Sequence, residues 1–513
     1  MNKILLIIGA IFSNIPLYAQ KIVQNISLQK AIELAKQQSI EAMEAKNSLY
    51  ISYWNFRNYK ASLLPNVEML GTLPNFNSSY NRYQNPDGDY QYISNRSISE
   101  NLSISINQNI PLTGGKISIK SELERLDGLG DNKTTNYLSI PASFTYSQPI
   151  FTYNSLKWDM KIEPIKNIEN QKQYLVNIED ICIKVIQYYF NLLLSKTNMD
   201  IAIKNNKNSE ELYKIALKKR EMGLISENEL QQLRYNFINS SASIIESKQD
   251  YEQKMFKLRT FLGFNDKVEL IPEVPPNAPI IDIHYNDVLS IAKTNNPFSD
   301  AIKRRLIDTD KIVAQARSER GPQLDAFLSL GYSGNDKTLP KSYRNLQNRQ
   351  IISLGVRVPI QDWGRSKGKV IIAKYQKQTE EGRIKRDIQD FEENIKVLVD
   401  QIQAQNGLME IYRLADSIAQ NRYKIAFETF KMGKISVLDI NAAQLEVDNS
   451  ARSYINQIYV SWLCHYQLRQ VTLFDFVNRK NIINTLEKTE WTEKFLQNLL
   501  NSEEIKIFIP ANR

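Results

Sequence analysis

Few residues in this chain have the type and spacing for bond-making chemistry. Among 513 residues there are two histidines, His284 and His465, and two cysteines, Cys182 and Cys464. Metal binding or acid–base work built on imidazole is nearly excluded, and a disulfide framework would need more cysteines at closer spacing. Two unpaired core thiols are expected, with a single bridge as the alternative. No phosphate-cradling glycine loop, metal-ligand cluster or nucleophile–histidine pair is legible. The reading is therefore not an enzyme: no catalytic, metal or cofactor residues are assigned. What repeats instead is a turn, Met222-Gly223-Leu224-Ile225-Ser226 and Met432-Gly433-Lys434-Ile435-Ser436. Glycine supplies a left-handed helix stop and serine can cap the next helix. Such a turn joins two antiparallel helices.

These turns belong to a duplicated chain. Leu28–Lys36 aligns with Tyr285–Lys293 at an offset of 257, which also places Pro65 on Pro322. Further on the offset is 210, with Pro149 on Pro359, Tyr213 on Tyr423 and Gly223 on Gly433. The offset drops by 47, so the first half carries an insertion of that size between Pro65 and Pro149. Each half reads as helix, strands, long helix, tight turn, helix. Pro65, Pro149, Pro322 and Pro359 mark the strand–helix junctions. The expected organisation is a signal peptide over 1–19, a first repeat over 20–263 with strands about 66–148 and a helical hairpin 155–262, and a Pro-rich linker over 264–284. A second repeat follows over 285–473, with strands about 323–359 and a hairpin 365–472, then a tail over 474–513. The first helix of each half reads as unbroken, over 27–64 and 285–321.

The long helices carry a coiled-coil period. Ile384, Ile388, Phe391, Ile395, Leu398 and Ile402 step by four and three, the spacing of a packed seam. The strands alternate differently: Leu102, Ile104 and Ile106 interleave with Ser103, Ser105 and Asn107, and Ile352, Leu354, Val356 and Val358 with Ser353, Gly355 and Arg357. An apolar face opposite a small polar face over about 9–11 residues suits a lipid-exposed, water-filled barrel. Phe151, Tyr153 and Trp363 fall where strand becomes helix, the place of an interfacial aromatic girdle. Asn75–Asn95 and Gly334–Asn348 read as long polar loops. Strands are expected at about 66–73, 101–110, 116–124, 138–148, 323–332 and 350–359. The extra pair either enters the sheet wall or folds aside. So few strands cannot close a wide barrel, so the chain should oligomerise.

The composition agrees. Lys3 precedes an apolar run ending near Tyr18-Ala19-Gln20, the pattern of a secretory signal. No later run is long and apolar enough for a spanning helix. The formal charge of +9 is not gathered into a stripe, so nucleic acid is not an expected partner.

In this order of features the chain resembles the TolC / outer-membrane efflux protein family. The carriers are Leu28–Ala35, Leu64-Pro65, Pro359-Ile360 with Trp363-Gly364-Arg365, and Gly433–Gln444. The resemblance implies a mainly α protomer with a transmembrane β-barrel, four strands per copy, which this chain's extra pair would raise to six, assembled as a homotrimer in the bacterial outer membrane with a long periplasmic domain. It implies partners in a periplasmic adaptor (a membrane fusion protein) and an inner-membrane transporter of the RND or ABC class. Gly223, Leu224, Ser226, Gly433, Ile435 and Ser436 would be adaptor-contact tips. In the family an acidic residue in a Leu-Asp context lines the closed constriction. Asp439 maps to it, and the repeat places Glu229 likewise; the family's second acid, three positions earlier, is Ser436 here. An Asp439 ring would favour cations and respond to pH. The function expected is a passive exit duct of a tripartite efflux system. Type I protein secretion, or a surface coiled-coil structural protein, are the alternatives.

Overall fold

A computed structural model describes residues 22–130, 133–266 and 268–484. The expected signal peptide and residues 485–513 lie outside the described residues. The chain divides into two compact units, one of Tyr50–Asn170 and Pro297–Gln389, the other of the remaining segments.

The first of these holds six strands in one antiparallel sheet. They are β2 (Asn66–Gln84), β3 (Tyr90–Ile110), β4 (Gly115–Gly128), β5 (Thr134–Ile150), β7 (Gln323–Asp336) and β8 (Gln347–Arg357), hydrogen-bonded in the order β2-β3-β4-β5-β7-β8. (The labels β1 and β6 denote Ile22–Ile26 and Val268–Pro272.) The extra pair therefore joins the sheet, giving six strands per protomer. The repeat offsets identify it. Asn66 plus 257 is Gln323, the start of β7, and Pro149 plus 210 is Pro359, just past β8. The inserted strands are thus β3 and β4. Alternation holds across the sheet. Val67, Ile106, Ile119, Phe144 and Leu330 form one row on one face. Glu68, Ser105, Lys120, Ser143, Gly331 and Arg349 form the adjacent row on the other. The apolar row is open, with Val67 70% and Ile106 43% exposed, as a lipid-facing surface requires. β2 and β8 leave unpaired edges in the single chain.

Asn75–Asn95 is not a loop. Polar alternation continues the strands to a turn at Asn85–Asp89, with rungs from Asn75↔Ser99 to Gln84↔Tyr90. Serine, asparagine and tyrosine serve a solvated strand as well as a loop, so composition misled. Gly334–Asn348 is likewise shortened by β7 and β8 and contains one helical turn, α7 (Leu339–Ser342), whose Ser342 is fully buried and accepts through its backbone oxygen from Ser139 Oγ at 2.5 Å.

Helices α1 (Leu28–Gln38) and α2 (Ile40–Ser62) correct the expectation of one helix over 27–64, and α5 (Tyr285–Asn295) and α6 (Pro297–Arg320) correct that over 285–321. The breaks, Ser39 and Asn296, are repeat equivalents at the offset of 257. Ser39 closes α1 through its N–H to Ala35 O and opens α2 by accepting from Ala42 N at 3.1 Å. Pro297 forces Asn296 into extended backbone, ψ 142°, and starts α6. The long helices are α3 (Ser155–Glu221) and α8 (Arg365–Lys431), each 67 residues. The returning helices are α4 (Glu227–Phe261) and α9 (Val437–Thr472).

The second unit is built on three buried clusters. In one, β1 pairs in parallel with β6, over Tyr189, Ile186, Leu258, Leu262 and Leu270. The Pro-rich stretch is packed against this unit: Ala278, Ile281 and Ile283 are buried, and Tyr189 Oη donates to Ile26 O and Glu273 O at 2.9 and 2.6 Å. A second cluster joins Ile281, Ile283, Val288 and Ala292 to Ile395, Leu398, Ile402 and Leu468, which is the seam read from the heptad. Each isoleucine, leucine or valine fully buried there contributes roughly 1.5–3 kcal/mol. Arg469 locks the end of α9, pairing with Glu179 through two bonds of 3.1 and 3.0 Å and with Asp475 at 2.6 Å. Cys182 and Cys464 are both free and buried.

Candidate functional site: the paired helical tips

The third cluster lies where the hairpins turn. Leu212 and Ala216 of α3, Leu233 of α4, Ala419, Tyr423 and Phe430 of α8, and Val437, Ile440 and Ala443 of α9 pack together. Four helix ends thus share one small core.

The two turns are built alike. Leu224 N–H donates to Lys219 O and Gly223 N–H to Arg220 O, while Lys434 N–H donates to Thr429 O and Gly433 N–H to Phe430 O. This double bond pattern satisfies carbonyls that a helix end leaves open, and it needs a left-handed residue. Gly223 and Gly433 supply it at φ 75° and 76°. Ser226 and Ser436 then cap the next helices. Ser226 Oγ accepts from Glu229 N–H at 3.2 Å and Glu229 Oε2 accepts from Ser226 N–H at 2.8 Å. Ser436 Oγ accepts from Asp439 N–H at 3.3 Å and Asp439 Oδ2 accepts from Ser436 N–H at 3.1 Å. Both are reciprocal capping boxes.

Glu229 and Asp439 are thus committed to starting their own helices. The backbone N–H of Ser226 holds Glu229 below the ordinary carboxylate range. Hydrogen bonds from the Ser436 hydroxyl and backbone, with Arg422 nearby, hold Asp439 below its usual value. Asp439 is therefore charged throughout the neutral and mildly acidic range, which works against the expected pH response. It lines a groove with Arg422, Ile425, Thr429 and Ile435.

The expected contact residues separate by exposure. Leu224 is 67% exposed, whereas Ile435 is half-buried against the tip core. Ile435 and Ile225 precede the capping serines and sit in the same core as Ile440 and Leu230, the arrangement of a hydrophobic staple. Met222 at 64%, Met432 at 62% and Leu438 at 71% exposed complete the apolar surface of the tips. The sequence reading missed these three, although their place beside Gly223, Gly433 and Asp439 was a signal. It also missed Lys219. Its side chain is buried, its Nζ donates to Phe430 O at 2.6 Å and lies 4.5 Å from the Phe430 ring centre. Deeper in the tip, Asp448 accepts from Asn205 at 2.6 Å and Gln444 at 3.0 Å, and Asn208 donates to Tyr423 Oη at 2.9 Å.

At the junctions, Pro65 lies between α2 and β2, and Pro322 between α6 and β7. Pro149 sits inside the last rungs of β5, opposite Asp325, and Pro359 two residues past β8. Phe151 and Trp363 both take left-handed backbone and are 72% and 91% exposed. The turn between β3 and β4 is pinned to this level. Asn154 caps α3 by accepting from Lys157 N–H and donates to Pro111 O at 2.8 Å. Gly114, at φ 77°, leaves the room, since a Cβ there would come within 3.1 Å of Asn154.

A six-strand membrane-type sheet, a duplicated helical hairpin and two capped tips define the fold class of an outer-membrane efflux channel protomer. Residues 288–459 match the family described as outer membrane efflux protein. The Campylobacter jejuni CmeC outer membrane channel is similar at 16% identity, over 91% of this chain and 90% of that chain, with a TM-score of 0.62. CusC is similar at 15% identity, over 87% of this chain and 91% of that one, with a TM-score of 0.59. The Vibrio cholerae outer membrane protein VceC is similar at 13% identity, over 88% and 95%, with a TM-score of 0.60. No curated protein matches the chain in sequence. The resemblance to the TolC / outer-membrane efflux protein family is thus present in both sequence and fold.

Proposed function

We propose that the protein is the outer-membrane duct of a tripartite efflux system, a homotrimer that gives substrates a passive exit from the periplasm and is opened by a periplasmic adaptor and an inner-membrane pump. The observation that carries this reading is the open six-strand sheet. Its apolar face is uncovered and its two edge strands are unpaired, a condition a membrane protein resolves by closing a barrel. Three copies would supply 18 strands, β8 of one against β2 of the next. The tips support the docking half of the proposal: Met222, Leu224, Met432 and Leu438 offer apolar side chains on rigidly capped turns, suited to a partner's helical hairpins. Asp439 of three copies would set a cation preference at the constriction.

Purification from outer membranes in detergent, with oligomer mass and planar-bilayer conductance measured on one sample, tests the core. A conducting trimer is expected. A monomer without conductance overturns it. Leu224→Cys and Met432→Cys should then cross-link to a co-expressed adaptor, and a cysteine at Tyr80 on the sheet should not.

A further inference from the structure

The β3–β4 ladder ends at Ser97, and past Arg96, whose carbonyl still accepts from Leu129 N–H at 2.7 Å, β3 pairs with β2 alone as far as Tyr90↔Gln84. The ribbon keeps the alternation of the sheet. Even-numbered residues of β3 carry the apolar face at Leu102, Ile104 and Ile106, so Arg96, Tyr92 and Tyr90 continue that same outward face. On β2, Arg82 pairs with Tyr92, and Phe76 and Tyr80, which pair with Ile98 and Ser94, share the same face. Arg96, Tyr92, Tyr90, Phe76, Tyr80 and Arg82 are all exposed. The opposite face is Asn77, Ser79, Asn81 and Asn95 with Tyr83 and Ile93. Both guanidinium groups and four of the five aromatic rings, all but Tyr83, are therefore on one side.

The level matters. The continuous apolar band on β3 ends at Leu102, with Ile98 alone above it on that face. Just above it Arg125 pairs with Asp127 at 2.8 Å and with Glu100 at 3.8 Å, so the acids there are already matched. Arg96 lies six residues past Leu102, ~20 Å along the strand. No carboxylate occupies the outward face between residues 76 and 84 or 90 and 98; Asp87 and Asp89 belong to the turn beyond. Arg82 is held over the Tyr90 ring at 4.9 Å, which pre-sets a guanidinium for a bidentate anion.

We infer that the outward face of the β2–β3 ribbon, centred on Arg82 and Arg96 with Tyr80, Tyr90 and Tyr92, binds the phosphorylated saccharide of the outer leaflet's glycolipid. The inference rests on the outer-membrane reading above. Tyrosine rings present flat apolar surfaces to sugar C–H faces, and the arginines take the phosphates. The face is continuous with the lipid-contacting band, so its ligand is the headgroup of the lipid already packed below it.

The test uses the detergent-purified protein and three probes. They are a deep-rough lipopolysaccharide bearing core phosphates, the same lipid after phosphatase treatment, and phosphatidylcholine vesicles with one-fifth phosphatidylglycerol. Binding is followed by native mass spectrometry and thermophoresis, with conductance recorded on the same preparations. Arg82→Gln with Arg96→Gln should weaken the phosphorylated probe at least about tenfold and leave the dephosphorylated one unchanged. Tyr80→Ser with Tyr92→Ser should weaken both. Wild-type affinity in the arginine pair overturns the inference, as does equal retention on phosphatidylglycerol vesicles, which would mark plain anion attraction. Dissociation of the oligomer in the arginine pair also overturns it, because the ribbon would then be a subunit contact. A conducting trimer that ignores glycolipid removes this inference only; a non-conducting monomer removes the export reading as well.

Discussion

Lys219 ties the two hairpins together at one point, and replacing it with methionine isolates that tie. Lys219→Met keeps the aliphatic stem in the tip core but removes the ammonium. Two contacts go with it: the 2.6 Å bond to Phe430 O and the 4.5 Å approach to the Phe430 ring. A hydrogen bond to a charged donor contributes about 1.5–3 kcal/mol, and a cation over an aromatic face about 0.5–1 kcal/mol. Two terms oppose this. The buried ammonium no longer has to be stripped of water, and Phe430 O is not orphaned, because Gly433 N–H still donates to it at 2.9 Å. The net loss should be about 1–2 kcal/mol, which is roughly 5- to 30-fold in local opening. It should be local, since both contacts lie within the tip core. Hydrogen exchange reads it directly. The amides of Gly433 and Lys434, which close the second turn, should exchange roughly 5- to 30-fold faster, while those of β3 and β4 stay unchanged. The equivalent residue in the other repeat is Thr429, whose hydroxyl bonds its own helix at Ile425 O, so Thr429→Val should barely change either. Unaltered protection at Gly433 and Lys434, or uniform acceleration across the protein, would refute the cross-tie.

Three further outcomes are expected. Asp439→Asn should lower cation preference in bilayers, whereas Ser436→Ala should keep the charge and the preference while weakening the start of α9 by about 1 kcal/mol; because Ser436 holds the Asp439 carboxyl low, wild-type preference should be flat from about pH 8 to about pH 5, and a fall in that window would count against the capping geometry. His465 is buried beside Arg469 and its pKa is pushed down to about 4 by burial first and that guanidinium second. The unfolded chain takes its proton near 6.5 and the folded one only near 4, so stability should drop by about 3 kcal/mol as pH falls through that interval; His465→Leu should flatten this acid slope in thermal melts, and an unchanged slope would assign it elsewhere. Leu354→Arg, on the apolar face, should cost about 2–4 kcal/mol near the bilayer midplane and block membrane assembly, while Ser353→Arg on the polar face should assemble; equal behaviour of the two would reverse the assignment of faces.

The sequence carried periodic features well and local ones poorly. The offsets of 257 and 210 were visible because helices of fixed length repeat their landmarks, and the ends of α3 and α8 map onto each other through them. The a/d spacing in α8 was visible because Ile395, Leu398 and Ile402 bury one stripe. The break at Ser39 was hidden because one serine can end a helix and cap the next without any glycine or proline to announce it. Its equivalent, Asn296-Pro297, did announce itself and was not read. The ribbon above Ser97 was hidden because polar strands and polar loops share a composition, and only the pairing register tells them apart. The tips were legible as turns, but their contact surface was not. Glycine and serine set the backbone there, while exposure is decided by which side of the four-helix core each apolar residue meets. That separates Leu224 from Ile435.

The placement of the insertion follows from parity. A strand that leaves the helical unit upward must be followed by one that returns, so material added to the sheet can only come in pairs. A pair also preserves faces. Val67 of β2 and Phe144 of β5 lie in one row although β3 and β4 stand between them, so removing the pair would leave the outward face outward. The cost falls elsewhere. Two added strands widen the sheet by about 10 Å at about 4.8 Å per strand, yet the chain adds no helix to carry them. Besides its ladders to β2 and β5, the inserted pair is held at its own turn. Pro111–Gly114 is held by Asn154, which also caps α3, and by Gln148, which donates to Thr113 O at 2.9 Å. One asparagine thus fixes the start of a 67-residue helix and the foot of the inserted hairpin together. A wider sheet on an unchanged set of helices is possible because the added strands are carried by their ladders to β2 and β5 and tied at one turn to a helix that is already there.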